Sequence, residues 1–288
     1  MDYIVILLLQ IGSAVASLVL LSIGLAVIFG MMRVINLAHG EFLMLGGYAA
    51  ITAYNLGVNL WLAMIVVAPI TVGLFGALVE RLVIRHLYGR LIDTMLATWG
   101  LSLAMIGFVT VVFGNTVSGI SAPLGSFQIG AYRTGVYELF LILVAVILLL
   151  TGWLVLRHTR LGLIARGTMQ NAGMAAALGT NPSAVYAVTF AIGAALTGLA
   201  GGLLAPLSGV VPTIGAAYIA KAFITVISGG AAILSGTAIA AVLLGTINTV
   251  ATFAFTSVLG EVALLVAAVV LLRLLPQGIS GRFFRRAL

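Results

Sequence analysis

Apolar residues run in blocks too long for the core of a water-soluble domain. Between Asp2 and Arg33 lie 30 uncharged residues, between Glu41 and Glu80 38, between Asp93 and Arg133 39, and between Lys221 and Glu261 39. About 20 apolar residues at 1.5 Å rise cross a ~30 Å hydrocarbon core, so each block holds at least one crossing. Dividing the blocks at charges and turn signals predicts helices near 4–32, 42–57, 60–79, 92–113, 137–156, 184–205, 218–230, 233–255 and 258–275. The short run 42–57 reads either as a crossing or as a broken, re-entrant piece. The pattern predicts an all-α polytopic membrane protein of about 8–9 transmembrane or re-entrant helices, with residues 1–288 forming one transmembrane domain.

Charge placement orients these spans. Arg81, Arg85 and Arg90 share one connection, Arg157, Arg160 and Arg166 another, and Arg273, Arg282, Arg285 and Arg286 the C-terminal end. With Arg33, eleven of the thirteen basic residues fall on one side if the N-terminus is outside and the C-terminus cytoplasmic. Only Arg133 and Lys221 then fall opposite. Such an orientation requires an odd number of crossings, so seven or nine fits better than eight. The start Met1-Asp2-Tyr3 lacks a basic n-region and the apolar stretch behind it outlasts a signal-peptide core, which predicts a retained first helix.

Composition narrows the chemistry. Only 7% of residues are charged against about a quarter in soluble domains, and mean hydropathy is +1.30. The basic excess is scattered at span ends without a basic, aromatic-interleaved patch, so nucleic acid is not an expected partner, whereas membrane lipid is. Zero Cys removes disulfide and thiolate sites. His39, His86 and His158 are far apart, and no metal site is expected. The single lysine, Lys221, follows Ala220, so no Gly-x-x-x-x-Gly-Lys-Ser/Thr phosphate loop exists. No Gly-x-Ser-x-Gly nucleophile turn is present, and nothing supports an enzyme. Two classes remain: a transport subunit powered from outside, or a self-sufficient channel or ion-coupled carrier. The acids Asp2, Glu41, Glu80, Asp93, Glu138 and Glu261 all lie at or near span ends, which weighs against ion coupling and leaves it open only through Glu41 or Glu261, which could reach a cavity. The 35 glycines, spread through the spans, read first as surfaces for close helix packing and second as marks of broken helices.

Two polar segments stand out. In 157–183, a short helix over Thr168–Leu178 is predicted, stopped by Gly179, with Asn181 and Pro182 opening the next helix. Asn171, Met174, Ala175 and Leu178 would share one small face, suited either to a groove of another protein or to the membrane surface. In 32–48, Asn36, His39, Gly40 and Glu41 interrupt an apolar chain. They read either as a helix start, with Asn36 serving backbone donors and Glu41 favouring the positive helix end, or as the lining of a water-filled or protein-filled break.

Segment 157–183 resembles the cytoplasmic coupling loop of ABC importer permeases in its branched-chain amino-acid version, R-x-G-x-x-x-R-A-x-x-x-x-x-x-x-A-x-x-L-G-I-N. Arg160, Gly162, Arg166, Ala175, Leu178, Gly179 and Asn181 carry the likeness; Gln170-Asn171 replace a frequent acidic pair and Thr180 a usual Ile. Val34-Ile-Asn-Leu-Ala-His-Gly-Glu-Phe-Leu-Met-Leu-Gly-Gly-Tyr48 resembles the LivH-type signature V-I-N-[FL]-A-H-G-E-[FL]-x-M-L-G-[AG]-Y. Lys221-Ala-Phe223 resembles the family's [LM]-K-A-[FL] element. Ser228-Gly229-Gly230 opens its G-G-x-G-S-I-x-G element, here Gly229-Gly230-Ala-Ala-Ile-Leu-Ser-Gly236. Pro276-Gln277-Gly278-Ile279 matches the R-P-x-G-[IL] ending, with Leu275 in place of Arg.

The resemblance implies a multi-pass permease subunit of the bacterial inner membrane, moving branched-chain or related amino acids. Relatives serving urea, short amides or aromatic acids supply the alternative substrates. Implied partners are a homologous second permease, two cytoplasmic ABC ATPases carrying ATP and Mg, and a periplasmic binding protein; this chain itself needs no cofactor. By the same likeness Asn36, His39, Gly40, Glu41 and Lys221 are candidates for the pathway or gate. Arg160, Gly162, Arg166, Gln170, Asn171, Ala175, Leu178, Gly179 and Asn181 are candidates for ATPase coupling.

Overall fold

Apolar blocks become helices wherever the chain can satisfy its own backbone, as lipid requires. The structure, a computed structural model, describes residues 2–130, 132–230 and 232–283. Arg285 and Arg286, counted in the charge argument, lie outside the described residues. The order is α1 (Asp2–Met32), α2 (His39–Asn55), α3 (Leu60–Leu62), a π-helical turn (Ala63–Val67), α4 (Ala68–Leu82), a 3₁₀ turn (Ile84–Leu87) and α5 (Leu91–Phe113). A hairpin β1 (Ser126–Ile129) and β2 (Tyr132–Gly135) follows, then α6 (Val136–His158), α7 (Arg160–Gln170), α8 (Ala172–Ala177) and α9 (Pro182–Ser208). The chain continues with α10 (Ile214–Gly229), α11 (Ile233–Ala254), α12 (Ser257–Leu274) and α13 (Gly278–Phe283).

All nine expected runs are helical. Seven helices are long and apolar enough to cross a membrane; α2 and α10, at 17 and 16 residues, are shorter. Pro69 sits at the start of α4 inside the continuous helical stretch Leu60–Leu82, and its missing N–H coincides with the π turn just before it. The all-α expectation needs one correction. The antiparallel β1–β2 hairpin pairs Ser126 with Gly135 and Ile129 with Tyr132, with Gly125 and Gly130 at positive φ. Its strands are too short and too polar for a span, and periodicity over four residues could not announce them.

The described residues divide into two compact units, with α1, α6 and α10 contributing to both. The first takes the segment ending at Ser22, Ala122–Leu150 and the chain from Lys221 onward. There α11 and α12 pair, and α13 is fastened by Ser280, which accepts from the Ala232 N–H at 2.9 Å and donates to the Gly229 carbonyl at 2.6 Å.

The second unit comprises Ile23–Ser121 and Thr151–Ala220. Its centre is α2, buried along most of its length and packed on α4 and α9. Glycines set these contacts: a Cβ on Gly46 would overlap the Gly198 carbonyl, one on Gly201 the Leu43 carbonyl, and one on Gly76 the Ala194 methyl. Close backbone approach gives dispersion contacts where lipid supplies no hydrophobic drive between helices. Phe42 of α2 fills the junction, edge-on to Phe75 at 5.5 Å and Phe190 at 6.2 Å.

Candidate functional site

The site begins where α1 stops. Arg33 takes φ +53°, a left-handed conformation that ends the helix after the Arg33 N–H bonds the Phe29 carbonyl at 2.9 Å. Residues 33–38 form no regular element, yet Asn36 is fully buried, so their backbone groups need partners inside the protein. The Asn36 side-chain oxygen accepts from Ala38 N–H at 3.0 Å, an Asx turn that starts α2. Thr98 of α5 accepts from Leu37 N–H at 3.1 Å and donates to the Thr94 carbonyl at 2.8 Å. The break is thus clamped by a hydroxyl from another helix.

Three candidates follow in the first turn of α2. His39 is fully buried, with Nδ1 3.4 Å from the Thr197 hydroxyl of α9. Gly40 meets the start of α10, where a Cβ would overlap the Gly215 carbonyl. Glu41 is 2% exposed and hydrogen-bonds the Ser102 side chain. Ser102 is the twelfth of the 23 residues of α5, which puts Glu41 about 17 Å from either end of that helix. Glu41 Oε2, Asn36 Nδ2 and the Tyr48 hydroxyl are buried without a hydrogen-bond partner. A carboxylate so deep, with one oxygen unserved, is costly to keep unless something visits it.

Lys221 stands elsewhere. It belongs to the first unit, where its ammonium group bonds Glu261 Oε1 at 2.7 Å with both side chains partly exposed. The structure therefore groups Asn36, His39, Gly40 and Glu41, and pairs Lys221 with Glu261.

The second segment is built from local caps. Thr159 accepts from Gly162 N–H at 3.1 Å and opens α7; Gly162 is buried in the bend, where a Cβ would overlap the Val155 and Leu156 carbonyls. Arg160 points outward, while Arg166 Nε reaches back to the Gly162 carbonyl at 3.3 Å. The single helix expected over 168–178 is corrected by the structure. Gln170 closes α7, and Asn171 turns to φ −153°, ψ 97°, its side chain accepting from Met174 N–H at 2.9 Å to cap α8. Asparagine competes with its own backbone for that donor, and Gly167 and Gly173 weaken helix propensity on both sides. The proposed face of Asn171, Met174, Ala175 and Leu178 is therefore cut at its first member. Met174 and Leu178 remain exposed, with Ala175 half-buried between them. Gly179 ends α8 at φ +87°, and Asn181 caps α9 through Ala184 N–H at 3.3 Å ahead of Pro182, as expected.

Sequence reasoning missed the hydroxyls of α5. Thr94, Thr98 and Ser102 are buried and spaced by four, one polar stripe down an apolar helix, a signal that was present. It also missed Thr197, the pairing of Glu261 with Lys221 and a buried contact of Glu80 with Tyr88. Among the described residues no three His, Asp or Glu side chains come together to hold a metal ion.

Seven apolar helices long enough to span a bilayer, with a buried polar break in the second unit, define a polytopic membrane protein. Residues 7–275 match the family described as the branched-chain amino acid transport system permease component, and the chain belongs to that family. It is 32% identical to the high-affinity branched-chain amino acid transport system permease protein BraD of Pseudomonas aeruginosa, over 95% of this chain and 94% of that protein. It is 28% identical to the corresponding permease protein LivH of Escherichia coli K12, over 91% of each. A probable branched-chain amino acid transport permease LivH of Methanocaldococcus jannaschii is 29% identical over 92% of this chain and 88% of its own length. No solved structure matches. The chain is accordingly a transport permease component of the inner membrane.

Proposed function

We propose that this chain imports branched-chain amino acids as one of two membrane subunits of an ABC importer. A homologous permease, two cytoplasmic ATPases carrying ATP and Mg, and a periplasmic binding protein complete the machine. The observation that carries this reading is the match to the permease family over residues 7–275, joined to the absence from the sequence of any phosphate loop. The full chain acts as a single permease domain, its N-terminus outside and its C-terminus cytoplasmic. In this reading α2 and α10 join the seven longer helices as short crossings, and nine keeps the parity that the arginines require. The segment 157–183 docks on the ATPases through α8, with Arg160, Gly162, Arg166, Gln170, Asn171, Leu178, Gly179 and Asn181 shaping it and Ala175 on the contact face. Asn36, His39, Gly40 and Glu41 border the substrate route, and the Lys221–Glu261 pair belongs to a gate.

The test is uptake of labelled leucine into proteoliposomes holding the whole complex. Uptake is expected only with ATP and the binding protein together. Import driven by a proton or sodium gradient without the ATPases would replace this reading with a coupled carrier, and import of urea in place of leucine would reassign the substrate. Since the chain has no native Cys, a single Ser183→Cys variant reports orientation. Its labelling by an impermeant reagent from the periplasm would overturn the topology.

A further inference from the structure

In the second unit the arginine-bearing connection after α4 reaches α9 through three residues that no candidate role includes. Glu80, in the last turn of α4, is 2% exposed, and the Tyr88 hydroxyl, just past the 3₁₀ turn, donates to its Oε1. The Tyr88 ring packs edge-on against Tyr186, with centroids 5.0 Å apart and planes at 65°. Tyr186 is the fifth residue of α9, the helix that starts four residues beyond Leu178. Burial, and then the neighbouring Glu80 carboxylate, push the Tyr88 phenol above its ordinary range, so it stays protonated and donates. A carboxylate taken out of water holds its partner firmly, because losing that partner leaves a bare buried charge. Glu80 thus ties the loop after α4 to α4 itself, and Tyr88 ties that loop to the beginning of α9.

Both tied helices lead to the polar break. Thr197 of α9 meets His39, and Phe75 of α4 packs on Phe42, one residue past Glu41. Resting on the reading of 157–183 as the ATPase-docking segment, we propose that Tyr88 is a positioning residue of the transport cycle: through Glu80 and Tyr186 it makes α4 and the start of α9 move together when α8 is displaced. Without it, the first turns of α9, which precede the close contact of Gly76 with Ala194, would absorb part of the push on α8, and more ATP would be hydrolysed for each substrate moved.

A purely structural tie would alter stability and leave the yield per ATP unchanged, so the experiment measures both. In the reconstituted full complex, ATP hydrolysed per leucine imported and the thermal midpoint are compared for the parent, Tyr88→Phe, Glu80→Gln with Tyr88→Phe, and Tyr186→Leu. Tyr88→Phe is expected to raise the ATP consumed per leucine about fivefold or more, the lower bound of ordinary coupling between sites. The double variant, freed of its bare buried charge, should regain thermal stability and keep the poor ratio. Tyr186→Leu should also raise the ratio, with the Glu80–Tyr88 bond retained. Parental ratios in Tyr88→Phe and Tyr186→Leu would overturn the proposal, and so would a double variant that recovers ratio and stability together. A parent complex that hydrolyses ATP but never imports would refute the transport reading and this proposal with it.

Discussion

Two interruptions of the second unit, residues 33–38 and 159–181, leave their helices by opposite physics. The first is sealed: Asn36 is fully buried, and a threonine from α5 serves the backbone at Leu37. The second is open: Leu178 is 80% exposed, and Thr159, Asn171 and Asn181 serve the backbone from within the segment. A break held by distant residues is rigid only in the folded bundle, whereas a locally capped segment keeps its shape wherever it is presented. That difference suits a lining for a route in the first case and a surface for a partner in the second.

The sharpest way to break the comparison is a side chain at a glycine in each. Gly40→Val drives a branched side chain into the Gly215 backbone, which cannot yield without separating α2 from α10. No assembled permease should survive in detergent extracts. Gly173→Ala meets only the Asn171 side-chain oxygen at 3.4 Å and gains about 1 kcal/mol of helix propensity, so assembly should match the parent. Equal assembly of the two variants would erase the distinction between sealed and open.

Next in size is Ala175→Glu. The exposed α8 tolerates the carboxylate in the isolated subunit, but a groove of a partner protein would bury it unpaired at several kcal/mol. Leucine uptake by the complex should fall at least about tenfold at parental membrane levels. Normal uptake with binding-protein-stimulated ATP hydrolysis would show that α8 docks nowhere.

Glu41→Gln separates a cap from a route. As a mere helix-end charge Glu41 contributes about 0.3–1 kcal/mol, a fivefold effect at most. Its buried, unserved Oε2 at the mid-length of α5 argues for more, and uptake normalised to assembled complex should drop beyond that figure. Rates within about twofold of the parent would leave Glu41 as a cap.

The smallest effect belongs to Asn171→Ala. Loss of the α8 cap is worth about 1 kcal/mol and should lower uptake a few-fold, with the spans intact. A loss as deep as that of Ala175→Glu would mean that the Asn171 side chain itself meets the ATPase.

Much of this architecture was legible because lipid simplifies the code. Each of the nine apolar runs coincides with a helix, several within two residues of the expected ends. Caps with one-residue logic were equally plain: Gly179 at positive φ, and Asn181 before Pro182. The helix through Asn171 was misjudged because its apolar spacing outweighed a side chain that competes for the backbone. The candidate residues 36, 39, 40 and 41 were found by their polarity, but their holders were not. Thr98, Ser102 and Thr197 come from helices 60 to 160 residues away in the chain, and one sequence does not state which helix faces which.

The sequence by itself determined that this chain carries helices fit to cross a membrane and roughly where they lie, since a 1.5 Å rise against a ~30 Å core and the cost of charge in lipid act on each segment separately, while its motifs carried the family likeness. Only the tertiary structure decided that the polar break is sealed between α5, α9 and α10, that Lys221 pairs with Glu261, and that Tyr88 joins Glu80 to Tyr186. Those facts depend on glycine-lined surfaces choosing their neighbours, a choice made by packing between helices and carried by no single stretch of residues.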